Sequence, residues 1–237
     1  MEILADLHTH SIASGHAYST IQEMVMFAKI KNIKILAITE HGYSMPDACH
    51  ENYYYNLASI PREIYGVHLL LGCEANILDY SGHIDLCDAA AKQCDIIIAS
   101  LHNRCIKPGT ENENTNAIIG AMRNKYVNII GHPDDGRYKL NYQQIVAYAK
   151  KYNVLIELNN NSMNKNSYRQ EAEQNMTEIL NICKKYKTYI SIGSDAHFAS
   201  QIGSFKNVQY LIEKTNFPKE LIINYNINLL KKRVNNF

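Results

Sequence analysis

The sequence lacks an excess of either charge: 24 lysines and arginines stand against 23 aspartates and glutamates, a formal net charge of +1 over 237 residues. Without a basic field, charge alone gives no reason to expect nucleic acid or an anionic membrane as partner. Long apolar runs are missing as well, since no segment reaches the roughly 20 residues that cross a bilayer. The opening "MEILADLHTH" lacks the apolar run and small-residue cleavage site of a secretion signal. The expected location is therefore the cytoplasm. Six cysteines, at positions 49, 73, 87, 94, 105 and 183, include no C-x-x-C pair, and a chain of this length needs no covalent staples. They are expected as reduced thiols, mostly in the core. Repeats, low-complexity tracts and linkers are absent too, so residues 1–237 are read as one domain with a substantial core.

What is present is an alternation. Seven short runs rich in Ile, Val and Leu, at 3–8, 33–39, 68–77, 95–101, 127–132, 154–159 and 189–194, read as buried strands. Helix-period segments lie between them at 20–31, around 116–122, at 142–152, 171–186 and near 208–214. Ser19 or Thr20 caps the first, with capping-box spacing from Thr20 to Glu23. Residues 42–66 read as a long loop carrying short helices. Parallel strands joined by helices form either an open sheet or a barrel, and periodicity does not choose.

The polar residues at the strand ends are more telling. In "DLHTHSIASGHAYST" (6–20), Asp6, His8 and His10 share a face if the chain is extended, and His16 follows in the loop. His41 follows the second strand, Glu74 lies in the third, His102 ends the fourth, His132 the fifth, and Asp195 and His197 the seventh. Seven of ten histidines fall at these positions, leaving His50, His68 and His83 aside. Such a rim is costly to bury unless a cation pairs it. Imidazole with carboxylate and no thiolate suits zinc, manganese or iron. Nine ligands exceed one ion's needs, so two or three are implied. Three divalent ions against two carboxylates leave a site charge of about +4, which favours an anion with several oxygens such as phosphate.

These residues resemble the polymerase and histidinol phosphatase (PHP) family of metal-dependent phosphoesterases. The motifs are "DLHTH" (6–10), "ITEHG" (38–42), "GCEANI" (72–77), "LHN" (101–103), "GHP" (131–133) and "GSDAH" (193–197), with "HAYST" (16–20) and "ELNNNS" (157–162) resembling its small single-domain YcdX-type members. The resemblance implies a distorted (βα)7 TIM-like barrel with a trinuclear site at the C-terminal ends of the strands, usually zinc. By motif, His8, His10, Glu74 and Asp195 would hold the first ion. Glu74 would bridge to a second held by His102 and His132, and His16, His41 and His197 would hold the third. Two departures are visible: Glu40 stands where the family commonly has Asp, and Asn103–Arg104 follow His102 where relatives carry an acid and a proline.

The expected chemistry is hydrolysis of a small phosphomonoester by a metal-bridging hydroxide, with Glu74, Asp195 and His197 as the catalytic set. Arg104 and Arg137, just after ligand-bearing strands, are expected to grip phosphate bidentately. Asp6 is expected to orient a ligand imidazole. The tyrosines at 53–55 are expected to pack in their loop, and the lysines of "KKYK" (184–187) to sit at a helix end. Histidinol phosphatase, phosphodiesterase and exonuclease activities are the alternatives within the family. An amidohydrolase would need a lysine at the end of the fourth strand, where none stands. The alternative of another class is a non-catalytic, metal-stabilised interaction module.

Overall fold

The structure, a computed structural model, describes residues 2–237. The strands are β1 (Ala5–Asp6), β2 (Ile35–His41), β3 (Glu63–Ile64), β4 (Val67–Asn76), β5 (Ile96–Ser100), β6 (Ile129–Ile130), β7 (Leu155–Asn159) and β8 (Ile190–Gly193). Seven pair in parallel in the order β1-β2-β4-β5-β6-β7-β8, and the two-residue β3 pairs antiparallel with β4. The two edges then meet. The Leu7 N–H donates to the Ile192 carbonyl at 3.3 Å, that of Asp195 to His8 at 2.8 Å, and that of His10 to Ala196 at 2.9 Å. The sheet thus curls into a nearly closed, distorted (βα)7 barrel. Closure pairs the seven parallel strands all the way round, and among the described residues the two-residue β3 is the strand left with a free edge.

The helices are α1 (Ile21–Ile30), α2 (Asn52–Tyr55), α3 (Asp88–Ala91), α4 (Glu111–Ala121), α5 (Tyr142–Tyr152), α6 (Ala172–Tyr186), α7 (Lys206–Lys214) and α8 (Ile227–Lys231). Thr20 caps α1 with the full capping box to Glu23, and Thr110 does the same for α4 through Glu113. α4 therefore begins five residues earlier than the stretch read from the sequence, because its first turn, "ENENT", carries no apolar period and depends on its cap. β3, α3 and α8 were not legible in the sequence, each being too short to show a period.

Strand alternation sorts the core into two layers. Leu36 and Ile38 of β2, Leu69 and Leu71 of β4, and Ile97 and Ala99 of β5 face outward onto the helices. Ile35, Ala37, Leu70, Ile96, Ile98, Ile129 and Leu155 fill the barrel, joined from the C-terminal segment by Ile223 and Leu230. This inner layer occupies the N-terminal half of the barrel only. Asn224 seals that end: its side chain accepts from the Ile192 N–H at 2.7 Å and donates to the carbonyls of Ala5 and Ile192 at 2.9 and 2.8 Å. With the bottom plugged by hydrocarbon, the inward positions nearer the strands' C-terminal ends, Thr39, His41, Glu74, Ser100 and Glu157 among them, are free to be polar.

Two expectations need correction. The regular ladder of β1 stops at Asp6, and Leu7 joins the inner apolar layer. Asp6 is therefore not on a common face with His8 and His10; its carboxylate accepts the backbone N–H groups of Ser194 and Gly203, both at 2.9 Å, and touches no imidazole. Of the six free cysteines only three, Cys73, Cys94 and Cys183, are buried; Cys49 and Cys105 are half-buried and Cys87 is exposed. Those three lie in loops or at a helix cap, outside the strand runs that carry the core.

Candidate metal centre

Nine side chains meet at the C-terminal mouth of the barrel. Glu74, inward on β4, is their hub. Its Oε1 lies 2.8 Å from His132 Nε2 and 3.2 Å from His102 Nε2, and its Oε2 lies 2.8 Å from His41 Nδ1, 3.4 Å from His8 Nε2 and 3.5 Å from His10 Nε2. Asp195 Oδ1 lies 3.4 Å from His10 Nε2, 3.7 Å from His8 Nε2 and 3.6 Å from His197 Nδ1. His16 closes the far side with its Nε2 3.2 Å from that of His41 and its ring 5.1 Å from that of His197. His50, His68 and His83 stay away; His68 stacks on Phe237 and His83 pairs with Asp79.

What these atoms point at follows from their other hydrogen bonds. His8 Nδ1 donates to Glu157 Oε1 at 2.7 Å, His102 Nδ1 to Asn76 Oδ1 at 2.7 Å, and His197 Nδ1 to the Asp195 carbonyl at 3.0 Å. His10 Nδ1 lies 3.2 Å from Ser14 Oγ, whose own proton goes to Glu40. Each of these imidazoles thus holds its proton on Nδ1, and its Nε2 presents a lone pair. The lone pairs of His8 and His10 face each other at 3.0 Å. His41 Nδ1 is buried and makes no hydrogen bond although Glu74 is 2.8 Å away. Lone pairs aimed at lone pairs and carboxylates need a positive charge between them.

The electrostatic surroundings of these groups point the same way. Burial pulls the His8 imidazole down, yet the charges of Glu157, Glu74 and Asp195 hold it well above its ordinary value, while burial and the neighbouring imidazoles hold His10 well below. Against the pull of burial, the surrounding imidazoles keep Glu74 well below the usual carboxylate range, as His8 and Arg169 do for Asp195. The carboxylates thus favour positive charge among these imidazoles. A divalent ion would supply that positive charge where the donor atoms meet, so the residues fit a metal. Three donor groups lie close enough to share an ion: His8–His10–Glu74, His41–Glu74–His102 and His10–His41–His197.

Several supporting residues were not foreseen. Glu157, inward on β7, accepts both the His8 Nδ1–H and, at 2.7 Å through Oε2, the His132 backbone N–H. Its signal was an acid inside the apolar run "VLIELN". Gly193 makes room for it: a Cβ there would lie 2.4 Å from both Glu157 Oε1 and His8 Cβ. Arg169 is buried, with Nη1 and Nη2 each 3.1 Å from Asp195 Oδ2, which turns Oδ1 toward the histidines. It lies in a loop, and nothing in the sequence pattern marks it. His132 and Asp195 have positive φ, 28° and 55°, a conformation costing of order 1–3 kcal/mol that collects at functional sites.

Glu40 faces away from the cluster yet reaches it indirectly. It accepts the hydroxyls of Ser11 and Ser14, and Ser14 Oγ in turn accepts the His41 N–H at 3.1 Å. Tyr54 donates to the Glu40 and His41 carbonyls, and none of Tyr53, Tyr54 and Tyr55 lines the cavity above the cluster. That cavity, of about 1040 Å³, is lined by Arg104 and Arg137 among others. Arg137 is engaged: its Nε and Nη2 reach Asp135 at 2.5–3.0 Å, and its guanidinium stacks 4.5 Å over Tyr168. Arg104 is exposed at the mouth.

The sequence profile of the family described as "PHP domain" matches residues 6–195. A protein of Clostridium novyi named "Probable phosphatase" is 47% identical over 224 residues, covering 94% of this chain and 91% of that one. One of the same description from Caldicellulosiruptor bescii is 45% identical, covering 94% and 92%. Among solved structures, histidinol phosphate phosphatase of Lactococcus lactis, complexed with zinc, L-histidinol and phosphate, superposes with a TM-score of 0.65 at 18% identity, covering 92% of this chain and 95% of that one. At that identity the likeness speaks for the fold. Among the described residues, no helix is long and apolar enough to cross a membrane.

Proposed function

This chain belongs to the PHP domain family, and from that premise we propose that it is a metal-dependent phosphatase hydrolysing small phosphomonoesters at a trinuclear centre. The observation that carries the reading is the convergence of seven imidazoles and two carboxylates at the barrel mouth, with the Nε2 lone pairs of His8, His10, His102 and His197 turned into the cluster. His8, His10, Glu74 and Asp195 would hold one ion, Glu74 with His102 and His132 a second, and His16, His41 and His197 a third. Zinc suits these donors, and manganese or iron is accepted by the same set. Bound ions would supply a water deprotonated near neutral pH and Lewis acidity toward the phosphoryl oxygens.

The chain's own residues do the positioning. Glu157 fixes the His8 tautomer, Asn76 that of His102, and Arg169 selects which oxygen of Asp195 faces the centre. Glu74 spans the cluster with one oxygen toward each half, and His197 stands at the cavity wall, where a leaving oxygen would emerge. The Asp135 pairing takes the Nε–Nη2 edge of Arg137 and leaves Nη1 as the donor it can turn to a phosphate oxygen in the cavity.

Elemental analysis of the purified protein, alongside p-nitrophenyl phosphate hydrolysis before and after chelation, tests the reading. Two to three equivalents of metal and chelator-sensitive turnover support it. No more than one equivalent, and no turnover after zinc or manganese is restored, would overturn it in favour of a binding module. His102→Ala is expected to lose turnover with the fold intact.

A further inference from the structure

The cavity over the cluster carries charges that hydrolysis of a simple monoester does not use. Four cationic side chains line it: Arg104, Arg137, Lys165 and Arg169. Two are already paired inside the protein, Arg137 with Asp135 and Arg169 with Asp195. Arg104 and Lys165 are in no ion pair among the described residues, where Lys and Arg bridge only to Asp95, Asp135, Asp195 and Glu173. Both are exposed, Arg104 two residues beyond His102 and Lys165 on the loop between β7 and α6. Outside the centre, the cavity's one carboxylate is Asp47, exposed on the loop after β2.

We propose that the preferred substrates carry, besides the phosphate to be removed, a second anionic group, a carboxylate or another phosphate, held by Arg104 and Lys165. The inference rests on the phosphatase reading above and narrows its substrate class. Two unpaired cations lining one cavity give it a positive field until an anion arrives, and that anion loses part of its hydration inside the mouth, where a charge-assisted hydrogen bond gains strength. A cationic leaving group meets the same charges as repulsion. The amine of a compound such as L-histidinol is therefore disfavoured here.

The test compares phosphonates ending in a carboxylate with methyl-ended phosphonates of equal length, for two, three and five carbons. Binding to the zinc-loaded full chain is measured by calorimetry for wild type, R104Q, K165Q and the double variant. The readout is the affinity ratio of carboxylate-ended to methyl-ended ligand, which cancels any change in phosphonate binding itself. A ratio of about tenfold at one or more lengths in wild type, falling to about one in the double variant, is expected from one charge-assisted anion contact. A wild-type ratio near one at every length, a ratio that survives in the double variant, or no binding of either ligand would overturn the proposal. Both side chains are exposed, so the variants should fold, and thermal melts check this. Absence of p-nitrophenyl phosphate turnover with the ratio intact would remove the hydrolysis reading and leave the second-anion site standing.

Discussion

Replacing Glu157 with glutamine changes one atom and loses a specific pair of interactions. The carboxylate accepts two donors, the His8 Nδ1–H and the His132 backbone N–H, each at 2.7 Å, with Asn159 Nδ2 a third at 3.2 Å. An amide has one oxygen to offer. If it faces His132, the NH2 group meets His8 Nδ1 and drives the imidazole proton to Nε2, which deletes the lone pair aimed at the centre. If it faces His8, the buried His132 N–H is left without an acceptor, at about 1–3 kcal/mol. Either way the negative charge that raises the basicity of His8 is gone. Loss of such a partner behind a metal-ligating histidine lowers metal affinity by about 10–100-fold, or about 1.4–2.7 kcal/mol. Titration of the apo-protein with zinc against a competing chromophoric chelator measures this directly. An affinity within about twofold of wild type, in a folded variant, would refute the argument that Glu157 sets the tautomer of His8.

Gly193→Ala places a methyl group 2.4 Å from Glu157 Oε1 and His8 Cβ; an overpacking cost of about 1–3 kcal/mol is expected in urea unfolding, with metal content lowered as well. Asn224→Ala removes the acceptor of Ile192 and a donor to two carbonyls at the closed end of the barrel; a loss of about 3 kcal/mol is expected with the metal stoichiometry unchanged, so a loss under about 1 kcal/mol would count against the plug. Chelation should lower the melting temperature, because each ion present at 100 times its dissociation constant adds about 2.7 kcal/mol, worth about 5–10 °C in a chain of this size. Identical melts with and without chelator would show that the cluster binds no ion tightly.

The sequence alone determined the alternation of buried strands and amphipathic helices, because apolar runs such as "DIIIASL" and the capping box at Thr20 are local signals that tertiary context had no cause to override. It also exposed the ligand-type residues, because most stand at the end of such a run, with Glu74 inside one and His16 in the loop after another, where a polar side chain has no apolar reason to be. Barrel closure was decided only in three dimensions, by hydrogen bonds between residues about 190 positions apart, such as Asp195 to His8. The direction of Asp6 was decided there too, since the ladder that would have kept it beside His8 ends at that residue. So were the engagement of Arg137 by Asp135 and the burial of Arg169 behind Asp195. Spacing along a strand reports which residues arrive at the rim; which of their atoms face inward depends on what binds their other side, and those partners come from elsewhere in the chain.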